Sequence, residues 1–302
     1  MTTSESGRLC VILCTERSGS TLLSVLLGAH TRVLAPPETH LFRWATYDVW
    51  SAEYPMAGAS LRWLMEQLAA GDVDPDQLFA GQSSADVWRW LVSRAGQDRV
   101  LVEKTPAYVQ SRDTLDRIEL LTPFYLHLVR HPIAVAASHL DRKQRDVAAD
   151  AASSVAAHSP KRLVRSAGRQ IRATATRMIP SERRRKLFAW MEVWADQHRR
   201  IEDFLISIPA ERCMRVHFES LVSEPVATLS SICTPLGLEF EPAMLNPNAN
   251  LPDVLVKGIG DYKISERRGI ESGVADAWRA SFDANILPSD VRRVYERLSA
   301  TP

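Results

Sequence analysis

The chain has 302 residues, 45% of them hydrophobic and 24% charged, the make-up of a globular protein with a full-sized core. Its formal net charge of +1 leaves no global field to draw it to nucleic acid or an anionic membrane, so any anion site must be assembled locally. The first apolar run, Leu9 to Leu13, is too short for a signal core or a membrane span, no later uncharged stretch reaches spanning length, and the four cysteines (Cys10, Cys14, Cys213, Cys233) lack CxxC spacing, which predicts buried thiols in a reducing, cytoplasmic setting.

Taken in chain order, the polar residues Met1 to Gly7 are expected to be flexible, and Leu9 to Cys14 is an apolar run without alternation, as in a strand covered on both faces. Thr15 to Ser20 reads as a polar turn and Thr21 to Ala29 as a helix. Helical patterns follow at about 60–70 and 85–95, then a strand over Arg99 to Val102, a helix at 111–121 and a strand over Phe124 to Val129. A helix is predicted from Ile133 to about Lys143, further helices at 161–178 and 182–206, and a fourth strand over Cys213 to Phe218. Glu239 to Arg268, rich in Pro, Asn and Gly, predicts a long ordered loop, and helices at about 272–283 and 289–299 close the chain. Strands alternating with helices predict an α/β fold, a central parallel sheet flanked by helices in three layers. No linker or repeat divides residues 1–302, so one domain is expected.

Two turns stand out because each follows an apolar strand and opens a helix. In Cys14-Thr15-Glu16-Arg17-Ser18-Gly19-Ser20-Thr21-Leu22, a helix start offers unpaired N–H groups to an anion, and Gly19 lets the backbone come close. Ser18, Ser20 and Thr21 add hydroxyls there, and Arg17 adds a planar cationic fork. The loop lacks the GxxxxGK[ST] pattern, with Ser20 where the lysine would stand, which disfavours a nucleotide triphosphatase or nucleotide kinase. A plain strand–helix turn is the other reading. In Val129-Arg130-His131-Pro132, the arginine leaves a strand end, Pro132 suits the first helical turn, and Ser138 falls eight residues on, near the same helix face.

Three further segments carry candidate chemistry. Lys104, in Glu103-Lys104-Thr105-Pro106, follows a strand's carboxyl end and is either a site residue or a surface lysine paired with Glu103. Glu38 and His40, after Pro36-Pro37, are candidate general bases, though a surface carboxylate fits Glu38 as well. Lys257 and Gly258, in Lys257-Gly258-Ile259-Gly260-Asp261-Tyr262-Lys263, suit an anion clamp or a solvated basic loop. His127 reads as a core histidine, His131 as support for the neighbouring arginine or a phosphate contact, and Arg183 to Lys186 as the solvated start of a helix.

These motifs, in this order, resemble those of sulfotransferases that use 3′-phosphoadenosine 5′-phosphosulfate (PAPS), in particular the bacterial and Golgi-type branch whose loop reads RSGST. The resemblance implies a P-loop-like fold and sulfuryl transfer to a hydroxyl-bearing acceptor, with 3′-phosphoadenosine 5′-phosphate (PAP) as product and no metal. It implies that Arg17, Ser18, Gly19, Ser20, Thr21 and Leu22 line the 5′-phosphosulfate and that Arg130 and Ser138 hold the 3′-phosphate, covered by Lys257 and Gly258. Phe218 stands where the family has a tyrosine near the adenine, so a hydroxyl is missing there. Glu38 is the implied base, with His40 the alternative, and Arg17 and Lys104 are placed to stabilise the departing phosphate. The tail from Gly260 to Arg279 resembles sulfotransferases of bacterial polyketide pathways, where the acceptor is an acyl chain on an acyl carrier protein. A glycan or lipid hydroxyl and a catalytically inactive nucleoside-bisphosphate-binding module are the competing expectations.

Overall fold

The computed structural model describes residues 8–142, 181–256 and 269–300. Five parallel strands form the sheet: β1 (Arg8–Cys14), β2 (Val33–Leu34), β3 (Val100–Glu103), β4 (Phe124–Val129) and β5 (Cys213–His217), in the order β2-β3-β1-β4-β5. The central strand β1 is RLCVILC, with six successive buried residues. Because strand side chains alternate, Leu9, Val11 and Leu13 enter one core while Cys10, Ile12 and Cys14 enter the other. A continuous apolar run is what a strand covered on both faces requires, and the fold is the α/β class expected.

The first face carries α2 (Tyr47–Glu53), α3 (Gly58–Gln67), α4 (Pro75–Leu78), α5 (Ser84–Ala95) and α6 (Arg112–Glu119), with Trp50, Leu61, Trp88 and Leu115 packed beneath. The other carries α1 (Ser20–Gly28), α9 (Phe218–Ser223) and α10 (Pro225–Cys233). Between α1 and α9 in sequence come α7 (residues 132–142) and α8 (Ser181–Leu205). These two pack with α12 (Ser289–Ser299) in a third cluster that includes Ile133, Trp194, Trp278 and Val294. A single turn, α11 (Asp253–Val256), lies in the predicted long loop.

Topology places the site. The chain leaves β1 toward β2 and β3, then crosses to β4 and β5, so the crevice between the tips of β1 and β4 is a topological switch point. Cys14 pairs with Leu128, so the two strands end side by side. The turns after them, residues 15–19 and 130–131, therefore face one another.

Some expectations need correction. The strand over Cys213 to Phe218 ends at His217, and Phe218 opens α9. The helix expected at 272–283 is instead short 3₁₀ turns, Ser272–Val274 and Ala277–Ala280. The Val274 carbonyl accepts a hydrogen bond from Arg130 Nη2 at 3.1 Å, so it is engaged outside the helical ladder. Ala275 also packs in the second core while Trp278 and Phe282 pack in the third, and one straight helix does not serve both. The helix expected at 161–178 lies outside the described residues, as do Lys257 and Gly258. Among the described residues, no helix is long and apolar enough to cross a membrane.

Candidate active site

The loop after β1 bends through two left-handed residues, Arg17 at φ 66° and Gly19 at φ 88°. Gly19 is required here: a β-carbon built on it would meet Cδ2 and Cε2 of Phe218 at 2.3 Å. The loop thus rests directly on the Phe218 ring, and α1 begins immediately after it. Ser20, Thr21 and Leu22 form the first turn of α1, whose N–H groups lack intrahelical acceptors and carry the positive end of the helix dipole. With Arg17 and Gly19 they line a cavity of about 810 Å³. Ser18 differs: it is fully buried, with its hydroxyl 2.6 Å from that of Thr15, and it fixes the turn rather than lining the cavity.

The second turn joins the same cavity. Arg130 donates to the Arg17 carbonyl at 3.0 Å and to the Val274 carbonyl, and its guanidinium lies 4.3 Å from the Phe218 ring centroid. Ser138, two turns along α7, accepts from Arg17 Nε at 3.1 Å. Arg17, Arg130 and Ser138 all line the cavity. The carbonyl of Arg130 is fixed by Trp194 Nε1 at 3.1 Å. His131 does not line the cavity. Its ring stacks on Trp278 at 4.3 Å, its backbone N–H donates to Glu219, and its Nδ1 accepts from the Ile133 N–H at the start of α7. Burial, with Arg279 and Arg130 nearby, lowers its pKa to about 4.

The third group sits at the tip of β3. Lys104 is 1% exposed and does not pair with Glu103. It donates instead to Glu38 Oε1 at 2.6 Å and to Thr21 Oγ1 at 3.3 Å. The other oxygen of Glu38 lies 3.2 Å from His40 Nε2. Burial alone would raise the Glu38 pKa, but Lys104 and His40 outweigh it and leave the carboxyl at about 2. Glu38 and His40 both line the cavity.

Glu103, which sequence reasoning treated only as a partner for Lys104, organises this region from beneath. It is fully buried, and its Oε1 accepts from Thr39, Thr105 and the Tyr108 hydroxyl at 2.8–3.0 Å. Thr39 lies between the two candidate bases, and its carbonyl accepts from Trp50 Nε1 at 2.8 Å. His40 itself is held at φ 56°, with its N–H on Thr105 Oγ1 and its ring 4.5 Å from that of Tyr54. Beyond Glu38 the cavity wall is made by Tyr54, Met56, Ala57, Pro106 and Ala107. The wall from Tyr54 to Ala57 carried no signal in the sequence, because it is one aromatic and two apolar residues, Met56 and Ala57, brought in by tertiary packing. Arg183, expected to be solvated, also lines the cavity, beside Phe282.

Residues 10–242 match the sulfotransferase family. The chain belongs to that family. Two solved sulfotransferase structures share its architecture over nearly their full lengths. One is the sulfotransferase domain from the curacin biosynthetic pathway (25% identity, TM-score 0.74, covering 98% of this chain and 99% of that one). The other is the sulfotransferase domain from the Synechococcus PCC 7002 olefin synthase (26% identity, TM-score 0.74, covering 100% and 98%). Nodulation protein NoeE of Sinorhizobium fredii (strain NBRC 101917 / NGR234) is 34% identical over 131 residues, 43% of this chain but only 30% of that relative's length. In this sulfotransferase the cavity at the switch point thus gathers several arginines, a helix start and a carboxylate, with buried Lys104 behind the wall bonded to Glu38 and Thr21, a set suited to moving an anionic group onto an acceptor.

Proposed function

We propose that this sulfotransferase takes its sulfuryl group from PAPS and delivers it to a hydroxyl on an apolar small-molecule or carrier-bound acyl acceptor. The observation that carries the reading is the convergence of two anion-binding turns, Gly19–Leu22 and Arg130/Ser138, on one cavity at the tips of β1 and β4. A donor with phosphates at both ends of a nucleoside needs two such places. The close fit of Gly19 against Phe218 supports this, since it leaves a cradle in which main chain rather than side chain meets the ligand.

When bound, PAPS supplies an activated sulfuryl group on a phosphate leaving group. The protein's part is to hold charge and move one proton. The N–H groups of the first turn of α1 and the Thr21 hydroxyl would hold the 5′ end, and Arg130 and Ser138 the 3′ end, with Arg17 between them. Lys257 and Gly258 would close over it. Glu38 would accept the proton of the acceptor hydroxyl, its carboxylate aimed by Lys104 and His40; His40 is the alternative base. The apolar wall from Tyr54 to Ala107 favours an acyl or alkyl acceptor over a glycan, which would call for many hydrogen-bonding groups. The tail motif and the likeness to the curacin-pathway and olefin-synthase domains favour an acyl chain presented on a carrier.

The test is transfer of labelled sulfate from PAPS to a panel of hydroxyl compounds that includes carrier-bound 3-hydroxyacyl chains. Alongside it, Arg130→Ala is expected to weaken PAP binding about tenfold to a hundredfold, the loss of one charge-assisted hydrogen bond. No transfer to any acceptor, together with unchanged calorimetric affinity in Arg130→Ala, would overturn the reading.

A further inference from the structure

Lys104 occupies an unusual place for a lysine. It is 1% exposed, and the two hydrogen bonds of its ammonium point to different halves of the site. One goes to Thr21 in the first turn of α1, on the anion side, and the other to Glu38 on the acceptor side. The two contacts unite segments 66 and 83 residues away in sequence. We propose that Lys104 couples the two halves, so that the donor anion and the Glu38 carboxylate compete for one buried ammonium. The proposal rests on the PAPS reading above and adds to it that donor occupancy switches the base on.

With Lys104 as a close partner and His40 on its second oxygen, Glu38 is a poor proton acceptor, its carboxyl held at about 2. An anion lodged by Thr21 comes within reach of the same ammonium and takes part of its field. It also adds negative charge near the carboxylate. Both effects raise the proton affinity of Glu38, and they do so only when the donor is in place. A carboxylate that becomes basic only then spares the empty site a reactive base. By linkage the coupling is reciprocal: whatever relieves Lys104 of Glu38 must tighten the anion.

The test is a double-mutant cycle read by calorimetry with PAP, using wild type, Glu38→Gln, Lys104→Met and the double variant. Glu38→Gln is expected to bind PAP about fivefold tighter or more, the lower range of couplings between sites. In the Lys104→Met background the same substitution should give a smaller gain by about twofold or more, beyond the precision of an additive pair, because only direct repulsion between anion and carboxylate remains. A gain in affinity is not what structural damage produces. If wild type binds PAP but Glu38→Gln binds it equally or less well, the coupling is wrong while the donor assignment stands. An undiminished gain without Lys104 also overturns it, since the effect is then simple repulsion. If wild type does not bind PAP, both readings fall. Should Lys104→Met not fold, infrared difference spectra of wild type with and without PAP replace it. A carboxylate band shift that is lost in Glu38→Gln supports the coupling, and no such shift overturns it.

Discussion

At Gly19 the backbone stands at φ 88° with the Phe218 ring where a side chain would be. Alanine there meets two penalties, the left-handed conformation and the clash with the ring, and strain of this kind costs about 1–3 kcal/mol. Gly19→Ala is therefore expected to lower the melting temperature and, by pushing Phe218 and the loop apart, to weaken PAP binding. A variant that melts and binds PAP like wild type would show that the loop does not rest on Phe218. Sequence reasoning reached Arg17, Gly19 and Thr21 because they are contiguous, and a strand–loop–helix turn has a local signature. It left Lys104 as either a site residue or a partner of Glu103, because the true partner, Glu38, is 66 residues away and belongs to another loop. Glu103 was the near neighbour in sequence, yet successive residues leaving a strand point to opposite sides, so Glu103 faces Tyr108 and Lys104 faces Glu38 and Thr21.

Secondary structure was most legible where burial acts on both sides of an element. β4 lies on the predicted residues, Phe124–Val129, and β1 differs by one residue at its start, because short, largely apolar runs closed by a proline, a charge or a polar turn leave little choice. β2 has two residues, too few to show any period. The tail from 272 to 283 failed differently, since its pattern is helical but its Val274 carbonyl and Trp278 ring are committed to Arg130 and His131. That failure has a structural content: the segment is shaped by its grip on the turn at Arg130 and His131. Trp278 is 5% exposed, and truncation of a buried tryptophan costs about 3–5 kcal/mol. Trp278→Ala should therefore destabilise the protein and loosen Arg130, lowering PAP affinity, while Trp278→Phe should keep most of both. Equal PAP affinity in a folded Trp278→Ala protein would separate the tail from the site.

The sheet, the helices behind it and the site share one buried polar thread. Trp194 on α8 holds the Arg130 carbonyl, its ring lies 4.4 Å from that of His198, and His198 Nδ1 is 2.8 Å from Nε2 of His127 on β4. Both histidines are buried in the interior, His127 as the sequence suggests, and neither lines the cavity. Burial lowers the His198 pKa to about 3 and the His127 pKa well below its usual value, with the charges of His198 and Arg215 acting in the same direction on His127. The unfolded chain binds these protons near pH 6.5 and the folded one does not, so folding stability rises with pH through this range. It is present in full above about pH 6.5 and is lost progressively as pH falls toward 3. His131 and His217, also lowered by burial, act with the same sign. Glu38 adds a second, lower window: a carboxyl held at about 2 contributes stability above its unfolded value near 4.3, lost between there and about 2. Urea denaturation at pH 7.5, 6 and 5 should thus show falling stability, set by these histidines against the opposite sign of buried Glu103, whose carboxyl is pushed up by burial. Replacing both His127 and His198 by Leu should flatten that slope, since two of the proton-refusing bases are gone. A slope unchanged in the double variant would mean that this pair does not remain neutral in the fold, and that the thread from β4 to Arg130 carries charge.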